Sequence, residues 1–111
     1  MKIIEMNYFR FAAAVAINCT ERDMPDQNAA PGKVAAYIEE VLHLLFSSVG
    51  VKPKVRPIKY PKACKLPLVV ELSDDDQRLF WFYPGMTTER FATELEGLLG
   101  DVLESKVPAS A

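Results

Sequence analysis

The pattern of apolar and polar positions is clearest between Leu66 and Gly85, where the chain reads LPLVVELSDDDQRLFWFYPG. Two apolar runs flank a polar tetrad at residues 74–77, and this arrangement predicts a β-hairpin with a four-residue loop. Aspartate favours such loops because its carboxylate can bond nearby backbone groups. In this register Ser73 lies opposite Arg78, and Val70 lies opposite Trp81.

Side chains alternate across a strand, so this register divides the hairpin into two faces. The face that contains Trp81 also holds Leu68, Val70, Leu72, Leu79 and Tyr83. The opposite face holds Val69, Glu71, Phe80 and Phe82. Both faces are therefore largely apolar, and this is the most useful functional clue in the sequence.

Residues 8–20 also alternate, with one side formed by Phe9, Phe11, Ala13, Val15, Ile17 and Cys19. This alternation predicts a strand whose second face is small enough for a helix to approach closely. The alanines of this segment also favour a helix, and periodicity alone does not separate the two structures. Residues 8–20 are therefore predicted as a strand, with a helix as the open alternative.

Two later segments show helical spacing. Pro31 suits the first position of a helix because its missing N–H needs no partner there, and this helix is predicted to run to about Val49. Thr87 or Thr88 is predicted to cap a second helix, whose buried stripe ends at Val102. The order of elements predicts an α+β fold: a two-layer sandwich with a small, mostly antiparallel sheet and two amphipathic helices on one face.

Composition narrows the class of protein. Half of the 111 residues are apolar and a quarter are charged, as in an ordinary folded domain. We predict one α+β domain over residues 1–106 and a flexible tail over residues 107–111. Two cysteines form no disulfide framework and suit a reducing compartment, so a cytoplasmic location is predicted. No apolar run approaches the ~20 residues of a membrane span, and polar residues interrupt the signal-like stretch near the N terminus.

The sheet face that two helices leave uncovered is the main candidate for function. If the helices cover the Trp81 side, an aromatic face rimmed by charge stays open, which is the usual composition of a protein interface. The candidate partner-binding residues are Val69, Phe80, Phe82 and Arg78. A homodimer is the simplest use of this face, because one patch then serves both subunits. The alternative is that the first strand or the basic segment folds over the face and buries it.

Residues 51–65 form a basic segment with a charge of +6, whereas residues 1–50 and 66–111 sum to −2 and −6. Its candidate electrostatic contacts are Lys52, Lys54, Arg56, Lys59, Tyr60, Lys62 and Lys65. These side chains suit a phosphate backbone with an aromatic stacking platform, which makes nucleic acid an alternative partner. They suit an acidic protein equally well. The prolines of the segment predict a loop, a polyproline-like run or an edge strand guarded against aggregation.

Catalytic and metal-binding patterns are weak. His43 lies four residues from both Glu39 and Ser47 on its predicted helix, but surface positions on one helix lack the oxyanion donors and cleft of acyl transfer. Neither cysteine has a CxxC partner, and the aspartates at 74–76 offer no spaced oxygen cage. We therefore predict no catalytic residue, no metal, no cofactor and no small-molecule substrate.

These features together predict a non-enzymatic accessory protein of the adaptor or inhibitor type. Its partner would be another protein or a second copy of itself, because an uncovered apolar sheet face is the strongest pattern in the sequence. A nucleic-acid-binding protein that uses the basic segment is the alternative.

Overall fold

The amino-terminal half contains the largest departure from the predicted elements. The computed structural model describes residues 4–26, 29–47, 49–58, 66–82 and 85–104, and in it Met6–Thr20 form helix α1 rather than a strand. Its buried positions, among them Phe9, Ala13 and Ile17, recur every three or four residues, which is the helical period. The strand prediction was wrong because alanine is the strongest helix former, and these small side chains fit both periods.

The other two helices follow the predicted start signals. Helix α2 spans Pro31–Leu45 with the proline in its first turn. Helix α3 spans Thr88–Leu99, and Thr87 Oγ1 accepts a hydrogen bond from the Arg90 backbone N–H at 3.2 Å. This side-chain cap confirms that Thr87 marks the start of the helix, because it satisfies an N–H that has no partner within the helix.

The main sheet is antiparallel and has three strands: β2 (Lys54–Pro57), β3 (Leu66–Ser73) and β4 (Asp76–Phe82), in the order β2-β3-β4. The first of them comes from the basic segment, so the edge-strand option is the correct one for residues 54–57. The predicted N-terminal strand is replaced by a two-residue strand β1 (Ile4–Glu5), which pairs in parallel with β5 (Leu103–Glu104) as a separate small sheet.

The hairpin of β3 and β4 exists as predicted, but its register differs. Only Asp74 and Asp75 form the turn, Asp76 begins β4, and the pairing shifts between Glu71 and Ser73. Val70 therefore lies opposite Arg78 instead of Trp81. A shift by an odd number of residues moves every side chain of a strand to the other face.

This shift corrects the predicted position of Phe80 and Phe82. Their side chains are 3% and 0% exposed and lie with Leu68 and Val70 under the helices. Phe82 is 6.4 Å from the ring of Tyr37 on α2 and 5.7 Å from the ring of Phe91 on α3. The register that buries both phenylalanines is favoured because it removes two large aromatic side chains from water.

The helices lie together on one side of the sheet, which confirms the two-layer α+β prediction. Helices α2 and α3 pack on the sheet, and α1 packs on α2 and α3. A buried hydrogen-bonded pair joins two of them: Thr20 Oγ1 donates to the Ala16 carbonyl at 2.8 Å and lies 3.3 Å from the Tyr37 hydroxyl. Burial raises the pKa of Tyr37, so its hydroxyl stays neutral in this position.

Helix α2 also closes the outer edge of the sheet at β2. The Val55 N–H donates to Glu39 Oε1 at 2.9 Å, and His43 Nε2 donates to the Pro53 carbonyl at 2.8 Å. Along an edge strand, the N–H and C=O groups of alternate residues point away from the neighbouring strand. Those of residues 53, 55 and 57 therefore point away from β3. Pro57 has no N–H to offer, and two side chains of α2 therefore occupy the places of a neighbouring strand.

Candidate interaction surfaces

The open face of the sheet carries Val69, Leu79 and Trp81. Leu79 is 47% exposed, while Val69 and Trp81 are half-buried. Arg56 Nε donates to Glu71 Oε1 at 3.3 Å on the same face, so an ion pair borders the apolar side chains. The predicted candidate Val69 thus lies on an open face, and the side chains beside it are Leu79 and Trp81 instead of the two phenylalanines.

Arg78 ties the hairpin to the end of α3 instead of facing a partner. Its side chain is 15% exposed, and its Nη1 donates to the Leu98 carbonyl at 2.7 Å. The guanidinium also donates to both carboxylate oxygens of Asp76, at 2.8 and 3.1 Å, and to both of Asp101. The expectation that Arg78 projects from an open face is wrong, because the register shift turns it toward these acceptors.

The same contacts perturb the ionisation of both partners. The hydrogen bonds that the guanidinium donates to Asp76 and Asp101 raise the pKa of Arg78, and those that Asp101 accepts from Arg78 lower the pKa of the Asp101 carboxyl. A guanidinium is charged at any ordinary pH, so only the carboxyl side of this contact titrates. The hydrogen bonds between Arg78 and Asp101 therefore link β4 to the end of α3, and protonation of Asp101 at low pH should weaken this link.

The described part of the basic segment surrounds a shallow depression between α2 and β2. Lys52, Lys54 and Arg56 lie on its margin, and Glu39 and Glu71 lie within the same lining. Two carboxylates among three cations weaken the field that a phosphate backbone would meet. Lys59, Tyr60, Lys62 and Lys65 lie outside the described residues, as does the predicted tail at 107–111, so nucleic-acid binding stays a prediction.

Backbone groups are the hydrogen-bond partners of His43, Glu39 and Ser47. His43 Nε2 bonds the Pro53 carbonyl, Glu39 bonds the Val55 N–H, and Ser47 Oγ donates to the Leu44 carbonyl at 3.0 Å. Each of the three polar side chains therefore has a backbone partner of its own.

A second apolar surface runs along helix α1, and it was not predicted from the sequence. We define the α1 strip as the residues that line a groove of about 230 Å³ between α1 and α2 and stay accessible there: Tyr8, Phe11, Ala12, Val15, Cys19 and Leu44. Tyr8 is 47% exposed, Phe11 68%, Val15 45% and Leu44 48%. The strand prediction hid this surface, because in a strand position 8 lies on the face opposite to positions 11, 15 and 19, whereas helical spacing brings all four to one side.

The described residues also bear on metal binding and on membrane insertion. No cluster of three or more histidine, cysteine, aspartate or glutamate side chains occurs in that part of the chain. None of the helices described above has the length and apolar character that crossing a bilayer demands. Cys19 is a free thiol and is exposed.

Comparison of the chain with protein-family models, with curated protein sequences and with solved structures gave no match in any of the three.

Proposed function

We propose that this protein is a non-enzymatic protein-binding protein that acts by contact, with the α1 strip as its principal binding surface. The open sheet face with Leu79 is a second and smaller contact surface of the same function. The exposed cations Lys52 and Lys54 supply an electrostatic contribution to the approach of an acidic partner.

One observation carries this proposal. Among the described residues, five large hydrophobic side chains are exposed, and four of them (Tyr8, Phe11, Val15 and Leu44) belong to the α1 strip. Scattered apolar side chains are normal on a protein surface, whereas a contiguous group of this kind is typical of an interaction site. A second layer of protein over the strip would remove these side chains from water.

The chemistry of the groove indicates what kind of surface it accepts. No charged side chain lines it, and its apolar walls come from two neighbouring helices. An amphipathic helix binds in a groove of this kind through side chains spaced three and four residues apart. Tyr8 adds a hydroxyl at the margin, where an aromatic ring can contact apolar atoms while its polar end stays in water.

The proposal is tested by placing a photoreactive phenylalanine analogue at position 11 of the full chain and irradiating the cells that produce it. We expect position 11 to capture a discrete protein, which mass spectrometry identifies, and the same analogue at exposed Lys33 to capture none. The identified protein, once purified, should bind the unaltered chain. Its affinity for the Val15→Lys variant should be at least tenfold lower. Equal capture at both positions, or none at position 11, contradicts the proposal.

A further inference from the structure

We propose that the α1 strip binds the α1 strip of a second copy of this chain, so that two α1 helices pair antiparallel about a two-fold axis. This inference rests on the proposed function and names its partner. It follows from the spacing, the charge and the size distribution of the side chains along α1.

The spacing of the strip fits a helix as its occupant. Tyr8, Ala12, Val15 and Cys19 follow one another at steps of four, three and four residues. This is the heptad period at which two helices interlock their side chains along a common seam. The strip extends over the twelve residues from Tyr8 to Cys19, or roughly 16 Å of helix, which is the length of about three turns.

The absence of charge near the seam favours a second copy. A two-fold axis brings a residue that lies near it close to its own counterpart, so a charged residue there would meet a like charge. The stretch from Phe11 to Thr20 contains no charged residue at all. Helices α2 and α3 use their apolar stripes inside the subunit, so α1 is the described helix with an uncharged stripe left at the surface.

The order of large and small side chains favours the antiparallel direction. When the axis passes between Ala12 and Val15, Tyr8 of one copy faces Cys19 of the other, and Ala12 faces Val15. Each contact then pairs a larger side chain with a smaller one, which fills the seam evenly. A parallel pair would set tyrosine against tyrosine and alanine against alanine, which crowds one end and leaves a gap in the middle.

The exposed area sets the expected strength. With roughly 200 Å² for a full aromatic side chain and about 160 Å² for valine or leucine, the four exposed residues offer about 400 Å² per copy. Two copies would bury about 800 Å² from these side chains, which is less than the ~1,200 Å² at the lower end of the stable size class. A dimer in reversible, concentration-dependent exchange with monomer is the expected result.

Sedimentation velocity of the purified full chain from about 1 to about 500 µM tests the association directly. We expect the unaltered chain to shift from monomer to dimer in this range, and Val15→Lys to weaken the association at least tenfold. Leu79→Lys tests the other apolar surface, where Leu79 is exposed to nearly the same extent. Thr93→Lys is the matched control, because Thr93 is an exposed, uncharged residue of α3 that belongs to neither apolar surface. A chain that stays monomeric throughout overturns the inference, and so does a dimer that Leu79→Lys dissociates and Val15→Lys leaves intact.

Disulfide formation tests the direction of pairing. With Cys64→Ser in the background, Tyr8→Cys should give a covalent dimer under mild oxidation, because position 8 faces Cys19 of the second copy. The same background without Tyr8→Cys should form little covalent dimer. Efficient cross-linking through Cys19 alone would indicate a parallel pair and overturn the proposed geometry.

The two proposals fail in different ways. If the purified chain is a monomer but the photoreactive analogue at position 11 captures a different protein, the dimer is wrong and the protein-binding function stands. If position 11 captures nothing and the chain is a monomer, both proposals are wrong.

Discussion

Truncation of Phe82 should destabilise the protein far more than truncation of Leu79, although both residues lie on β4 only three positions apart. Phe82 is fully buried between the rings of Tyr37 and Phe91. Removal of such a ring typically costs about 3–5 kcal/mol, since the lost burial and the cavity add together. Leu79 is half exposed on the open face and leaves no enclosed cavity, so Leu79→Ala should cost less than about 1 kcal/mol.

Urea unfolding of Phe82→Ala and Leu79→Ala measures this difference, with the fluorescence of the single tryptophan as the probe. The slope of the transition should be the same for both variants, so that the difference lies in the midpoint. The four-residue loop predicted from the sequence would place Leu79 under the helices and Phe82 on the open face. It therefore predicts the larger loss of stability for Leu79→Ala. Equal losses, or a larger loss for Leu79→Ala, would therefore show that the register described here is wrong.

Three further predictions concern polar contacts. Arg78→Gln should lower the free energy of unfolding by about 1.5–3 kcal/mol in the same urea assay, because charge-assisted hydrogen bonds of a largely buried guanidinium are lost; a loss under about 0.5 kcal/mol would contradict its role as a tie. The lowered pKa of Asp101 stabilises the folded state at pH values above about 4, the pKa of an aspartate in the unfolded chain. This contribution is lost as the pH falls through the pKa of Asp101 in the folded state. The free energy of unfolding should therefore fall less steeply with acid for Asp101→Asn than for the unaltered chain. Glu39→Ala removes the acceptor of the outward N–H of Val55 and should speed aggregation in light scattering, whereas exposed Glu40→Ala should not.

Local signals in the sequence were sufficient where a helix boundary depends on its own residues. Pro31 and Thr87 set the starts of α2 and α3 through the missing N–H of one residue and the hydroxyl of the other. The existence of the hairpin followed in the same way from the aspartates of its turn. These features need no information about the rest of the fold.

The register of the hairpin could not be read from the turn alone. Four residues and two residues both make acceptable turns in this sequence, and the shift between Glu71 and Ser73 decides between them. That irregularity is favoured because it sends Phe80 and Phe82 toward Tyr37 and the helices, which is a property of the assembled core.

The prediction of a strand in place of helix α1 was wrong for a related reason. Its alanines satisfy a period of two and a period of 3.6 equally well, so the choice depends on which surfaces are available to cover it. Had the residues from 8 to 19 been placed at helical spacing, Tyr8, Phe11, Val15 and Cys19 would have fallen on one side. The α1 strip could therefore have been predicted from the sequence, but only from the alternative in which residues 8–20 form a helix.

The contacts of Glu39 and His43 with β2 make growth of the sheet one-sided. An incoming strand at that margin would have to displace Glu39 from Val55 and His43 from Pro53, and it would find no donor at Pro57. A strand supplied by another molecule would therefore have to add next to β4, where Leu79 already offers apolar surface. Two side chains one helical turn apart thus decide at which end of the sheet a further strand can be accommodated.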